Sequence, residues 1–208
     1  MNQLLALDIV PIGIIVFALA VPIVAWLMFR RKIGPESGSG WQLDAYSKNV
    51  TLDTSAGGSL FSFNFPDVNG VHRVWKPIKR FSGTHVSMTF EIVDVAHSGE
   101  LEFEAEDLPA TVGFYVGDAR IYSNRIYRVE LAAGRFTITV PLSPECWQTV
   151  DGVPCNLDAE HVRNFQRYVE NPTDIGPCFG GKTKGWAHGA HRKKGSPPAK
   201  FRMLSFSA

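Results

Sequence analysis

From Trp41 on, alternation of apolar and polar residues is the dominant period of this chain, and it constrains the fold more than any other feature. Phe61, Phe63 and Phe65 alternate with Ser62 and Asn64, and Val86, Met88, Phe90 and Ile92 alternate with Ser87, Thr89 and Glu91. Leu101, Phe103 and Ala105 oppose Glu100, Glu102, Glu104 and Glu106, while Phe136, Ile138, Val140 and Leu142 oppose Arg135, Thr137 and Thr139. Successive side chains of a strand point to opposite faces, so this period of two means sheets with one face in a core and the other in solvent. Further strands fit near 71–76, 111–117, 126–131, 174–180 and 199–207. Turn-forming pairs separate them, among them Asn69-Gly70, Ser98-Gly99 and Ala133-Gly134. Short strands at such spacings predict an antiparallel β-sandwich of jelly-roll type rather than a parallel sheet. One helix interrupts the pattern: Asp158 is placed to cap 159–170, Val162, Phe165, Tyr168 and Val169 form an apolar stripe, and Asn171-Pro172 ends it.

The beginning of the chain has a different character. Residues 9–29, IVPIGIIVFALAVPIVAWLMF, hold no charge and are closed by Arg30-Arg31-Lys32. About twenty apolar residues in a helix cross the hydrocarbon core of a bilayer, so the lipid bilayer is the first expected partner, through 9–29. The run is too long for a signal peptide, no basic residue precedes it and no Ala-x-Ala site follows it, which predicts an uncleaved single-pass anchor. Three organisational units follow: an anchor at 1–32, a Gly/Ser/Pro linker at 33–40 and a β-sandwich domain at 41–208. The basic cluster after the span places the domain in the cytosol by the positive-inside rule.

Charge is distributed unevenly. Residues 33–181 carry 11 Lys/Arg against 19 Asp/Glu, whereas 182–208 carry 7 basic and no acidic residues. The basic tail reads as a solvated complement to an acidic body or as a patch for anionic headgroups. Nucleic acid is disfavoured as a partner because the body would repel phosphate. The three cysteines leave two alternatives open: a Cys146–Cys155 disulfide with one thiol over, or three ordinary thiols in a reducing compartment.

The run from Leu131 to Trp147, in which a Gly-turned strand ends in Val140-Pro141-Leu142, resembles an element of bacterial galactose-binding-like jelly rolls. Residues 174–181 resemble the penultimate strand of that family, and 199–207 its closing strand. The resemblance spans about 59–207. It implies a jelly roll of the carbohydrate-binding-module type, a class usually found outside the cytosol, opposite to the side the charge rule gives.

Catalytic and metal motifs are weak throughout. Gly176 to Thr183 fits G-x-x-x-x-G-K-[ST], but the Gly- and Pro-rich stretch after it is unsuited to the helix a phosphate loop needs. Cys178, His188 and His191 lack a paired Cys-x2-Cys, and no nucleophile has a recognisable base. Neither a cofactor, a metal nor a catalytic residue is therefore expected. Surface aromatics with polar neighbours remain: Trp75, Tyr115, Tyr122, Trp147 and Trp186. The densest mix lies in 114–125, where Tyr115 faces out if Phe114 and Val116 face in, so Tyr115, Asp118, Arg120 and Tyr122 are the predicted ligand-binding residues. Two functions follow. One is a non-catalytic module presenting this face to a carbohydrate-like ligand; the other is an accessory subunit whose helix docks among other membrane subunits and whose domain covers them.

Overall fold

A computed structural model describes residues 40–55, 60–95, 100–103, 106–118, 120–181 and 189–208. The predicted span at 9–29 and the predicted linker, apart from Gly40, lie outside the described residues, as do Lys182, Thr183, Trp186 and His188. No helix among the described residues is long and apolar enough to cross a membrane.

The strands in chain order are β1 (Gln42–Leu43), β2 (Ser62–Asn64), β3 (Val74–Pro77), β4 (His85–Val93), β5 (Leu101–Phe103), β6 (Glu106–Val116), β7 (Ile121–Ser123), β8 (Val129–Glu130), β9 (Gly134–Pro141) and β10 (Trp147–Thr149). Helix α1 (Ala159–Glu170) precedes β11 (Asp174–Gly181), β12 (Ala190–Arg192) and β13 (Lys200–Ser207). Every ladder among them is antiparallel. The larger sheet runs β1-β3-β11-β6-β5-β12, with β7 and β8 also on β6 and β10 on β7; the smaller runs β2-β13-β4-β9. The protein is thus mainly β, a sandwich of two antiparallel sheets with one α-helix among the described residues.

The period of two becomes packing in β4. Val86, Met88, Phe90 and Ile92 are buried, and the intervening residues stay half-exposed. Their outward hydroxyls pair across the sheet, Ser87 with Thr139 and Thr89 with Thr137, each at 2.9 Å between oxygens. Inside, aromatic rings fill the space between the sheets. Phe201 stacks on Phe63 and Phe90, both at 5.1 Å between centroids, and meets Phe179 edge-on at 5.5 Å. Such pairs contribute about 0.5–1.5 kcal/mol each beyond the area they bury.

Helix α1 starts where its cap requires. The Asp158 carboxylate accepts from the backbone N–H groups of Glu160 and His161, both at 2.9 Å, satisfying two donors the first turn leaves open. Phe165 is buried, its ring 6.5 Å from that of Trp147, and Tyr168 lies against Gly117 at the β6–β7 turn. Phe165, Tyr168 and Val169 of the apolar stripe therefore pack against the core.

Three local expectations are corrected. The strand expected over 126–131 is mostly absent, because Asn124 accepts from the N–H of Ile126 at 3.1 Å and turns Arg125–Tyr127 into a 3-10 helix. Only β8 remains extended there. The strand expected from residue 71 begins regular pairing at Val74, since Val71 and Val74 are both in the core and cannot alternate. Glu102 is not a freely solvated charge: β5 is flanked by β12, and Lys193 Nζ lies 3.2 Å from Glu102 Oε1.

Candidate functional site

Cross-strand register assembles two rows of side chains on the face of the larger sheet that points away from the smaller one. Gln42 pairs with Trp75, Gly176 with Tyr115, Tyr115 with Tyr122, and Tyr122 with Gln148. One row therefore runs Gln42, Trp75, Gly176, Tyr115, Tyr122, Gln148. The neighbouring row holds Arg73 bridged to Cys178 and Cys178 paired with Gly113. Gly176 is demanded by the close approach of β3, since a Cβ there would lie 1.9 Å from the Val74 carbonyl oxygen.

Phe114 and Val116 do face the core, and Tyr115 does face the other way. The outer face is nevertheless closed. Tyr115 is 0% and Tyr122 1% accessible, their rings 6.2 Å apart, and Cys178 beside them is fully buried. The expectation of an outward aromatic platform at Tyr115 and Tyr122 is corrected: alternation sets which face a side chain points to, not whether that face meets water.

Charge has been brought into this face as well. Arg73 and Asp44 form an ion pair through Nη2 and Oδ2, with side chains only 10% and 5% exposed. Asp44 Oδ1 also accepts from the Tyr46 N–H at 2.8 Å, and the Asp44 N–H donates to the Arg73 carbonyl at 3.0 Å. The Arg73 guanidinium lies 5.1 Å from the centre of the Tyr115 ring, a cation–π distance. Its Nε and Nη1 are buried without a hydrogen-bond partner.

These surroundings fix protonation. Burial works against the Arg73 charge, but Tyr115 and Asp44 outweigh it and the guanidinium is held more firmly protonated than usual. Burial lowers Arg128 to about 10, opposed by the neighbouring Cys178. Burial raises the Cys178 thiol far above its ordinary value, although Arg128 and Arg73 both favour a thiolate. Burial likewise raises the Tyr122 phenol, with Cys178 adding to it. At neutral pH the thiol and the phenol are therefore both protonated. A thiol acts as a nucleophile only as thiolate, so the cluster offers hydrogen bonds and fixed charge rather than an activated nucleophile.

Asp118 and Arg120 sit at the tip of the β6–β7 turn, both exposed. Gly117 and Asp118 have φ of +68° and +56°, and the Asp118 N–H donates to Asp174 Oδ1 at 3.0 Å, which fixes the turn. Asp118 is close enough for its charge to act on Tyr122. The structure thus brings Tyr115 and Tyr122 together in the closed face and leaves Asp118 and Arg120 exposed at the turn.

The other candidates are dispersed. Trp147 is 1% accessible, its Nε1–H donating to the Pro141 carbonyl at 2.7 Å, and Trp75 is half-buried at the margin of the tyrosine cluster. The glycines at 176, 180 and 181 lie in β11, hydrogen-bonded to β6 on one side, so this part of the motif is ladder and not a phosphate loop. Cys146, Cys155 and Cys178 are free and buried. No group of three or more His, Cys, Asp or Glu among the described residues could hold a metal ion. Sequence reasoning missed Asp44, Arg73 and Arg128. A lone arginine in Val71-His72-Arg73-Val74-Trp75 was the available signal, for an arginine between strand-forming apolar residues needs a counter-charge. Comparison of the chain with known protein families and with curated proteins finds no match.

Proposed function

We propose that this chain is a membrane-tethered, non-catalytic accessory subunit, with a jelly-roll domain that acts through contacts with other polypeptides. The observation that carries the reading is the closure of the outer face of the larger sheet. Tyr115 and Tyr122, 0% and 1% accessible, have no surface left for stacking a sugar ring. The tether is proposed at residues 9–29 from their length and lack of charge. The cytosolic side is favoured by Arg30-Arg31-Lys32, and three free thiols are in keeping with a reducing compartment.

Native mass spectrometry of the full chain, extracted in mild detergent from its own membranes, tests the proposal. The expected result is a second polypeptide at fixed stoichiometry, lost when 9–29 is replaced by an unrelated apolar helix. A chain that carries no other polypeptide refutes the accessory role. Sidedness is tested by Glu170→Cys, an exposed position at the end of α1, labelled with an impermeant thiol reagent in intact and opened cells.

A carbohydrate-like ligand is the second reading, and one observation favours it. Tyr46 is 67% exposed, its ring 6.1 Å from that of His72, next to the Asp44–Arg73 pair. Glycan-array binding that Tyr46→Ala abolishes would establish this reading over the first.

A further inference from the structure

The smaller sheet ends on β9, which has no strand on its outer side among the described residues. Among the described residues β9 pairs with β4 alone, and it is eight residues long. The other outermost strands are two or three residues: β1 and β12 in the larger sheet, β2 in the smaller. Short edges are a common protection against strand addition, and β9 lacks it. Prolines, bulges and inward charges are the other protections. None occurs in Phe136–Val140, whose register with β4 runs unbroken. The N–H and C=O groups of Thr137 and Thr139 point away from β4, ready to pair with another strand, while the outward carbonyl of Pro141 at the end of β9 is already held by Trp147 Nε1–H.

We propose that β9 pairs antiparallel with β9 of a second copy of this chain, joining two four-stranded sheets into one of eight. The two-fold axis passes at Ile138. This register sets Phe136 opposite Val140 of the partner copy on the core side and Thr137 opposite Thr139 on the outer side. Arg135 and Pro141, the residues least suited to a central ladder, fall at the two ends. The choice of a second copy rests on self-complementarity. The outer face already pairs hydroxyls across strands, Ser87 with Thr139 and Thr89 with Thr137 at 2.9 Å. The proposed register continues that ladder across the axis with Thr137–Thr139 pairs, leaving no charge unmatched. The 3-10 turn Arg125–Tyr127 comes close to β9, and its Ile126 is 83% exposed. A closed two-fold contact also removes the exposed edge from both copies at once.

The test uses the full chain in detergent micelles, its protein mass measured by light scattering. Wild type is expected as a dimer. Thr137→Lys with Thr139→Lys sets like charges opposite one another twice across the axis, and the protein mass should halve. Thr137→Lys with Thr139→Glu sets opposite charges there, and the dimer should persist. Both positions are exposed, so neither pair of changes removes a core contact. A monomeric wild type overturns the proposal, as does equal behaviour of the two double variants, whether both dimeric or both monomeric. A second measurement works in native membranes with differently tagged chains. A Thr137→Cys chain mixed with a Thr139→Cys chain should form a disulfide between tags faster than either with itself, and no preference for the mixed pair overturns the register.

Discussion

Removing the Asp44 carboxylate tests whether the outer face of the larger sheet is as dry as its geometry implies. Asp44→Ala leaves the Arg73 guanidinium without its counter-charge at a side chain that is 10% exposed. Breaking a buried pair from one side costs about 3–5 kcal/mol, because the remaining charge stays desolvated. The Tyr46 N–H, which donates to Asp44 at 2.8 Å, loses its acceptor as well and adds about 1 kcal/mol. A domain of this size loses roughly 2–4 °C of melting temperature per kcal/mol, so the variant should melt about 10 °C or more below wild type. Replacing both partners by apolar residues, Asp44→Leu with Arg73→Met, should recover most of that loss, since an apolar pair needs no counter-charge. The assay is urea unfolding of the full chain followed by tryptophan emission, with Arg73→Met completing the double-mutant cycle. A loss below about 1 kcal/mol for Asp44→Ala, the size typical of a surface pair, would refute the reasoning and show the face to be wet.

Other consequences are accessible with simple variants and reagents. Gly176→Ala should abolish folding or melt the domain far below wild type, because the added methyl meets the Val74 carbonyl at 1.9 Å and β3 and β11 must separate; a wild-type melt refutes it. Thiol reagents at pH 8 should label none of the three cysteines until the chain is unfolded, given their burial and the rise of Cys155 to about 11; rapid labelling of any one contradicts this. Asp158→Ala should destabilise the start of α1. Hydrogen bonds from the His161 N–H and side chain hold the Asp158 carboxyl below its ordinary value, so the stabilisation is present above the unfolded value of 3.8 and is lost as pH falls through the folded one. Melting curves of wild type and variant should therefore converge at low pH, and a difference that persists or grows there would contradict the cap.

Much of the fold was legible because its signals are local. β4, β9, β11 and β13 each carry their pattern within eight or nine residues, and α1 has its cap, stripe and terminator inside one stretch. The failures arose where a side chain reached outside the periodic frame. Asn124 captured an amide two residues on and converted an expected strand into a 3-10 turn. The sequence also pointed to β-strand pairing without saying which strand lies at an edge. Alternation alone sets Glu102 on a solvent face, whereas β12, about ninety residues later, pairs with β5 and brings Lys193 to it.

The tyrosine pair shows a more general limit. Periodicity separates the two faces of a sheet, but a sheet covered on both faces has two interiors, and only contacts from distant segments tell the second interior from solvent. Tyr115 and Tyr122 sit opposite one another as two adjacent strands require, and that part was local. Their burial depends on non-local partners: Arg73 reaches the Tyr115 ring from β3's approach, and Asp44 holds Arg73 from 29 residues earlier. A strand rich in glycine, such as Asp174–Gly181 with Gly176, Gly180 and Gly181, was the one sequence hint of a second covered face. Residues without side chains on a sheet permit close approach, and every residue of β11 is in fact buried. The same reasoning explains why β9 stands apart. It carries no glycine after Gly134, its outward Thr137 and Thr139 hydroxyls are already paired to β4, and β4 is its one strand partner among the described residues.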